Sequence, residues 1–105
     1  MSTSYKDLHV WQEAIFLVKA IYLACDEFPK KEQYTLTSQM CRAAISIPSN
    51  IAEGKGRQSD KEFIQFLHHS RGSLCELETQ VLIAKELQYI NEGKYAELTK
   101  QCESI

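Results

Sequence analysis

The amino-acid sequence predicts an all-α protein, an antiparallel up-and-down four-helix bundle. Its 105 residues allow one domain with one core, because a chain of this length buries roughly two-thirds of the surface that its unfolded form exposes. Only four Gly and two Pro leave little material for the turns that many short strands require. Apolar residues recur at steps of three and four along four segments, which is the spacing of a helix face. We therefore expect a single domain over residues 1–105, with neighbouring helices antiparallel because their connections are short.

The first helix is predicted from Leu8 to Cys25. Asp7 is the expected N-cap, because its carboxylate can accept hydrogen bonds from the free N–H groups of the first turn, and Phe28-Pro29 marks the exit. Two adjacent apolar stripes cover about half of the helical wheel, so the helix can contact two neighbours at once. One stripe is Leu8, Trp11, Ile15, Val18, Tyr22 and Cys25, and the other is Val10, Ala14, Leu17, Ile21 and Ala24.

The second helix is predicted from Leu36 to Glu53, with an apolar repeat that passes through Pro48. Proline removes one helical hydrogen bond, but the apolar spacing continues undisturbed, so we expect a kink there rather than a break. Gly54 is expected to adopt the left-handed conformation that closes a helix.

The third helix is the longest, with an apolar repeat from Phe63 to Gln88. Ser59 and Glu62 are expected to form a capping box at its start, in which two side chains satisfy backbone donors reciprocally. Gly72 lies in the middle of this helix at a cost of roughly 1 kcal/mol relative to Ala. We therefore expect a neighbour that packs too closely there to admit a side chain.

The fourth helix is predicted to begin at Asn91 and is short for a bundle partner. Tyr95, Leu98 and Cys102 follow one another at helical spacing. These three side chains are therefore expected to face the core.

The composition indicates a cytoplasmic protein. The net charge of −2 argues against general binding to polyanions, because phosphate-driven affinity requires a basic surface. No targeting segment and no run of about 18 apolar residues is found, so we expect no membrane association. The cysteines form no Cys-x-x-Cys pair, and we interpret them as reduced thiols that mostly fill the core. They are Cys25, Cys41, Cys75 and Cys102.

The sequence lacks the residue patterns that are typical of catalysis. Di-iron bundles use Glu-x-x-His pairs, and no glutamate here is followed three residues later by histidine. His68 and His69 point about 100° apart on a helix and cannot chelate together. The Gly54-x-Gly56 loop lacks the preceding strand and the Lys-Ser/Thr pair of a phosphate-binding loop. We expect no catalytic residue, cofactor, metal or small-molecule substrate.

A polar seam is predicted between the second and third helices. We interpret it as structural, because two-pronged arginine-to-carboxylate pairs fix helix register and must be paired where they are half-buried. A ligand site is the alternative for the same residues. The seam consists of Arg42, Ser46, Asn50 and Glu53 on the second helix, and Arg71, Glu76 and Glu78 on the third.

Two apolar strips face away from the predicted core and are candidates for an oligomer interface. Phe16 and Leu23 lie one heptad apart on the first helix, where a neighbouring molecule could cover them. Ile64, Cys75 and Leu82 form the strip on the third helix. Contact between two different strips is head-to-tail, and it propagates until it closes into a ring or continues as a filament. We expect a closed ring.

A short basic group, Lys55, Arg57 and Lys61, follows the second helix, and acidic residues interleave with it. Several copies of this group around a ring would still raise the affinity for a polyanion, because multivalency lets weak sites act together. RNA binding is therefore the alternative function, with RNA or another protein as the alternative partner.

Several motifs in this chain resemble the four-helix-bundle proteins encoded in intervening sequences of bacterial 23S ribosomal RNA genes. The resemblance covers residues 5–90 and is most specific in the run from Ser46 to Gly54. It implies a bundle assembled into a pentameric ring, with no recognised enzymatic activity and an unsettled molecular function. The motifs are Asp7-Leu8-x-Val10-Trp11, Phe28-Pro29, Gln39-x-x-Arg42-Ala43-Ala44-x-Ser46-Ile47-Pro48-Ser49-Asn50-Ile51-Ala52-Glu53-Gly54, Phe63-x-x-Phe66-Leu67 and Arg71-Gly72-Ser73-x-x-Glu76-x-Glu78.

A related branch, the accessory proteins of diversity-generating retroelements, binds nucleic acid and a reverse transcriptase through a strongly basic pentamer. This chain departs from that branch in its negative net charge and in Cys41, which stands where relatives commonly place a basic residue before Arg42. His68-His69-Ser70 also replaces the usual apolar and small residues. These departures weaken the transfer of RNA binding. We therefore predict a non-enzymatic, homo-oligomeric scaffold or interaction module whose first partner is itself.

Overall fold

The computed structural model describes residues 4–105, and the fold in that range is all-α, as predicted. Two short 3-10 turns, Tyr5–Asp7 and Lys30–Glu32, precede the first and second helices, and no strand is found in this part of the chain. The molecule measures 47 × 24 × 18 Å. The helices are α1 (His9–Cys25), α2 (Leu36–Lys55), α3 (Asp60–Glu86) and α4 (Glu92–Glu103).

The four helices pack in a closed cycle, in which α1 contacts α2, α2 contacts α3, α3 contacts α4, and α4 returns to α1. Two contacts show that α2 and α3 are antiparallel. The Ser46 and Ser73 hydroxyls are hydrogen-bonded, and the Ser70 hydroxyl donates to the Ile47 carbonyl oxygen at 2.9 Å. The two helices therefore run in opposite directions, and the closed cycle of contacts among all four helices confirms the four-helix bundle.

The core lies where all four helices meet. Leu98 and Cys102 of α4 are each 1% exposed, which confirms two of the predicted inward positions, and Tyr95 is half-buried. The largest fully buried side chains come from every helix, which is the pattern of one continuous core. They are Leu17, Ile21, Met40, Ile47, Ile51, Leu77, Val81, Leu98 and Cys102.

The helix starts are partly those that the sequence predicts. Ser59 is the N-cap of α3, and its hydroxyl accepts a hydrogen bond from the Glu62 backbone N–H at 3.1 Å. Asn91 caps α4 in the same way, through the Lys94 backbone N–H at 2.7 Å. The prediction for Asp7 was wrong, because Asp7 lies inside the first 3-10 turn and Leu8 occupies the N-cap position.

The two glycine predictions were also wrong. Gly54 does not end α2 in a left-handed conformation: it is a buried residue inside the helix, which continues through Pro48 to Lys55. A Cβ atom at Gly54 would lie 2.6 Å from the Phe66 Cβ, closer than side chains can pack. The corresponding Cβ at Gly72 would meet nothing within 4 Å. Close approach of the helices therefore occurs at Gly54, and the described chain shows no such contact at Gly72.

The end of α3 is closed by Gln88, a non-glycine residue with a φ of 65°. Its backbone N–H donates to the Lys85 carbonyl at 2.9 Å, and the Tyr89 N–H donates to the Ala84 carbonyl at 2.9 Å. This pair of hydrogen bonds is a Schellman motif, which usually places glycine at the left-handed position.

The turn that joins α2 to α3 projects beyond the other two helices. Val10 near the start of α1 and Ile105 beyond the end of α4 line the same cleft as Ile51 and Leu74. Past that level α2 and α3 continue, and the first 3-10 turn contacts α2. We call residues 52–69 the hairpin end and the remaining part of the bundle the body. No residue between 55 and 69 is buried.

Candidate oligomer interface

The α1 strip lies on the surface of the bundle. Phe16 is 68% exposed and Leu23 is 60% exposed, whereas Leu17 and Ile21 on the same helix are fully buried. Helical geometry produces this contrast, because one step along the sequence turns a side chain by about 100°. Two large apolar side chains one heptad apart therefore face solvent in the single chain.

The α3 strip is also at the surface. Ile64 is 52% exposed and Leu82 is 41% exposed, and Cys75 between them is exposed too. Leu77 and Val81 of the same helix point into the core. Because α1 and α3 are diagonal in the bundle and share no close backbone contact, the two strips do not cover one another within one chain.

An apolar cleft opens beside the α3 strip at the level where α4 ends. Its volume is about 420 Å³. Arg71 is exposed and lies at the polar margin of the cleft. The hydroxyl of the neighbouring Ser70 already donates a hydrogen bond to the Ile47 carbonyl oxygen of α2. The lining residues are Val10, Ile51, Leu67, Ser70, Arg71, Leu74 and Ile105.

The polar seam contains hydroxyl and amide contacts in the described chain. The Ser46 hydroxyl donates to the Ala43 carbonyl oxygen at 2.9 Å and is hydrogen-bonded to the Ser73 hydroxyl. The Asn50 amide donates to the Ser46 carbonyl oxygen at 2.8 Å. Sequence reasoning missed Ser73 and Ser70, although two serines three residues apart on the face that meets α2 are a detectable signal.

The charged members of the seam form no ion pair with one another among residues 4–105. Arg42 is exposed and lines a surface depression with Glu76, and no ion pair shorter than 4.0 Å includes either residue among positions 4–105. Arg71 belongs to the opposite flank of α3, at the cleft. Glu78 is half-buried, and Glu53 pairs with Arg57. The structure therefore brings together the short polar residues of the seam and not its arginines.

The basic group lies at the hairpin end, and two of its cations contact aromatic rings. The Arg57 guanidinium carbon is 4.9 Å from the centre of the Phe66 ring, and the Lys55 Nζ is 5.8 Å from the centre of the Phe63 ring. Arg57 also pairs with Glu53 at 3.0 Å. Part of the positive charge of the basic group is therefore already paired within the chain, through cation–π attraction and through a carboxylate partner. Lys61 is exposed.

The shifted pKa values in this chain arise from burial and from hydrogen bonds between elements. Burial raises the pKa of Cys25 to about 12 and that of Cys102 to about 12, so both thiols stay protonated and behave as small apolar side chains. Hydrogen bonds from the Thr35 and Tyr89 hydroxyls lower the pKa of Glu32 and tie the turn before α2 to the turn after α3.

No group of three or more His, Cys, Asp or Glu side chains in the range 4–105 is placed to hold a metal ion. No helix in the range has both the length and the apolar character that a bilayer crossing requires.

The helix order, the single core and the antiparallel packing define an all-α protein of the four-helix-bundle class. The chain belongs to the 23S rRNA-intervening sequence protein family, whose sequence profile matches residues 6–105, and the resemblance seen in the motifs is thereby confirmed. No functionally curated protein is similar enough in sequence to match.

A crystal structure supports the fold independently. It is that of a protein of unknown function from the S23 ribosomal protein family of Bacteroides thetaiotaomicron VPI-5482, solved at 1.70 Å resolution. The alignment has a TM-score of 0.80 and 20% sequence identity, and covers 90% of this chain and 89% of the other. At that identity the likeness establishes the shared fold alone.

Proposed function

We propose that this protein is a non-enzymatic helical bundle that assembles with itself into a closed pentameric ring in the cytoplasm and serves as a scaffold for other molecules. The pentamer is the assembly that the family resemblance implies. Its biological use would be the presentation of several copies of one surface, which converts weak contacts into stable ones when the geometry allows simultaneous engagement.

The observation that carries this proposal is the exposure of Phe16. An aromatic side chain that is 68% exposed, with Leu23 one heptad away, leaves apolar surface in water that association could remove at roughly 25 cal/mol per Å². The α3 strip has a different composition. An interface between unlike strips is heterologous, and every open assembly keeps one free strip of each kind, at its two ends, until the ring closes.

Phe16→Glu tests the assembly. The carboxylate is tolerated in the single chain, because position 16 faces solvent there, but it would be buried without a partner in the interface. We expect circular dichroism to show an unchanged helical content. Light scattering coupled to size-exclusion chromatography should show a pentamer for the wild type and the mass of one chain, 12.1 kDa, for the variant.

Ile45→Glu is the matched control, because Ile45 is 42% exposed on α2, outside both strips. It should keep the pentamer. A wild-type protein with the mass of one chain would contradict self-assembly, and a pentamer in Phe16→Glu would show that Phe16 takes no part in it.

RNA binding is the second candidate, and the clustering of Lys55, Arg57 and Lys61 at the hairpin end supports it. A ring would repeat this cluster in every subunit. The charge available for phosphates is reduced, since Arg57 is paired with Glu53 and stacked on Phe66.

We therefore expect weak binding to a single-stranded RNA at physiological salt, about 0.15 M. Fluorescence anisotropy with a labelled oligonucleotide at several salt concentrations would measure it. Tight binding with a steep salt dependence, abolished in a Lys55→Ala, Arg57→Ala, Lys61→Ala triple variant, would make RNA binding the preferred function.

A further inference from the structure

The helices α1 and α3 run in the same direction within one chain. Val10 of α1 and Arg71 of α3 line the same cleft, and further along both helices Leu23 and Lys85 lie beside the first turn of α4. A ring relates its subunits by rotation about one axis, without translation along it. When the helices lie along that axis, α1 of one copy is therefore parallel to α3 of the next, and residues in contact lie at the same height.

The heights of Phe16 and Cys75 agree. Val10 and Arg71 are close to level, since they line one cleft. Phe16 lies six residues after Val10, about 9 Å along α1, and Cys75 lies four residues after Arg71, about 6 Å along α3. The two positions are thus level to within one helical turn, so a ring can bring them together.

A second apolar pair has the same spacing. Leu23 follows Phe16 by seven residues, and Leu82 follows Cys75 by seven. A parallel alignment that sets Phe16 beside Cys75 therefore also sets Leu23 beside Leu82. Ile64 lies eleven residues before Cys75, about 16.5 Å along the helix, and has no partner in the α1 strip.

The two strips border α4 from opposite sides. Phe16 lines a surface pocket with Gln101 of α4. Arg71, one turn before Cys75, lines the cleft with Ile105, which follows α4. The strips therefore lie on the two bundle faces that meet at α4, and adjacent faces of a four-helix bundle point about 90° apart.

This angle favours closure over a filament. The directions from one subunit of a ring to its two neighbours enclose the interior angle of the polygon, about 108° for five subunits, and the ring axis lies inside that angle. A straight filament would need strips on opposite faces. Because α4 lies between the two strips, closure turns α4 toward the axis and α2, which is diagonal to it, toward the outer wall.

Opposite charges lie at the α4 side of the two strips. Glu13 and Arg71 each lie about one turn before the first apolar pair, so the alignment brings them level too. The Glu13 carboxylate accepts a hydrogen bond from the Ser104 hydroxyl at 2.6 Å and lies 2.7 Å from His9 Nε2. Arg71 is exposed, and no ion pair found among residues 4–105 includes it. A carboxylate accepts several hydrogen bonds, so Glu13 can keep its contacts and receive a guanidinium.

We propose that α1 of one copy packs parallel on α3 of the next, with α4 of every copy facing the ring axis. Phe16 then lies beside Cys75 and Leu23 beside Leu82, and the charged pair lies at the edge of the contact nearest the axis. This interface rests on the self-assembly proposed above and specifies its direction and register. All hairpin ends project from the same rim of the ring.

Disulfide trapping tests direction and register together. Phe16→Cys places a thiol beside Cys75 of the next copy, and the oxidant diamide should take two electrons and two protons from the two thiols, which form a disulfide while diamide becomes the hydrazine. Every subunit then carries one thiol for each of its two neighbours, so a denaturing gel should show a ladder from dimer to pentamer. Phe16→Cys with Cys75→Ser should show no ladder, and light scattering should confirm that both variants assemble.

Leu23→Cys provides the second arm, which keeps Phe16. Its thiol is level with Leu82 and seven residues, about 10.5 Å, from the height of Cys75. Leu23→Cys should therefore give no ladder by itself and a ladder together with Leu82→Cys. A ladder from Leu23→Cys alone that Cys75→Ser removes would overturn the register. So would the absence of a ladder from both designed pairs in an assembled protein, and self-assembly would stand in that case. A wild-type protein with the mass of one chain would overturn both proposals.

Two exposed positions of α3 give a matched pair of substitutions. Leu82→Glu buries an unpaired carboxylate in the interface and should raise the dissociation constant of the assembly about 100-fold or more. Ile64→Glu makes the same exchange where α1 of the next copy does not reach, so it should leave that constant unchanged. Sedimentation velocity over a concentration series measures both, and equal effects would contradict the register.

Reversal of the charged pair tests its contribution. Arg71→Glu and Glu13→Arg each place like charges together and should raise the dissociation constant about 10-fold. The double variant restores an opposite pair and should recover most of the wild-type affinity, with circular dichroism confirming that all three variants fold. A double variant that assembles no better than the single ones would overturn the pairing of these residues.

Thiol labelling tests the placement of α4. Lys100→Cys and Ser49→Cys put thiols at exposed positions of α4 and α2, each in a Cys75→Ser background. A maleimide that carries a long polyethylene glycol chain should label Ser49→Cys quickly and Lys100→Cys slowly in the ring. Both should react quickly when Phe16→Glu is added, because single chains have no interior. Equal rates at the two positions in the assembled protein would overturn the inward placement of α4.

Discussion

The body and the hairpin end are both antiparallel helix packings, but they are stabilised differently. In the body four helices surround Leu17, Ile47 and Leu77, which are fully buried. In the hairpin end of α2 and α3, Gly54 is the one buried residue, and Leu67 borders the cleft that Val10 of α1 also lines. The two helices approach one another at Gly54, and Phe63 and Phe66 are covered by Lys55 and Arg57.

This contrast shows how a helix pair can be extended without a core. A two-helix segment cannot enclose a large apolar side chain on all sides, so it gains contact by bringing the backbones together at a residue without a side chain. The stems and charges of cationic side chains then cover the aromatic rings. Because such contacts bury less apolar surface than a four-helix core, the hairpin end should open locally at a lower free energy than the body.

The largest expected effect belongs to the body. Leu77→Ala removes a fully buried side chain from the region where four helices meet, and it should lower the free energy of unfolding by about 3 kcal/mol. Urea denaturation at a fixed protein concentration would measure it. Leu87→Ala, at a position that is 50% exposed, should change the same quantity by about 0.5 kcal/mol or less. Equal losses of unfolding free energy in the two variants would contradict the assignment of Leu77 to the core and Leu87 to the surface.

A smaller effect is expected at the hairpin end. In Gly54→Ala the new Cβ would lie 2.6 Å from the Phe66 Cβ, an atom attached to the backbone, so the helices must separate. Overpacking of this kind should cost about 2 kcal/mol. Native-state hydrogen exchange should show lost protection in residues 52–69, with the body retained.

Gly72→Ala is the matched control, because Gly72 is also inside a helix but has nothing within 4 Å of a new Cβ. Here the higher helix propensity of alanine should raise the free energy of unfolding by about 1 kcal/mol. A destabilising Gly72→Ala would mean that another molecule packs against this position.

The smallest effect on stability is expected at the turn that joins α3 to α4, which belongs to the body. Gln88 has a φ of 65°, which costs energy for residues with a Cβ, so Gln88→Gly should stabilise the protein by about 0.5 kcal/mol. Gln65→Gly makes the same exchange at an exposed helical position of the hairpin end and should destabilise by about 1 kcal/mol. Thermal denaturation of both variants would check the opposite signs, and two changes of equal sign would contradict the strain at Gln88.

Much of the fold could be predicted because its signals are local. Ser59 and Asn91 cap helices through contacts to residues three positions away, and the apolar repeat that contains Leu98 and Cys102 faces inward because of a fixed turn per residue. The exposure of Phe16 has the same origin. The role of this strip as an interface stays a prediction, since it depends on a second molecule.

The amino-acid sequence by itself determined four amphipathic helices, their approximate limits, and the side chains that face inward. Only the tertiary structure decided that Gly54 is a packing contact and Gly72 is not, that Ser46 meets Ser73, and that Arg71 lies at a cleft away from Arg42. Helical periodicity specifies the direction in which a side chain points along one helix. Contacts between helices depend on the distance, offset and length of a second helix, which no spacing within one segment encodes.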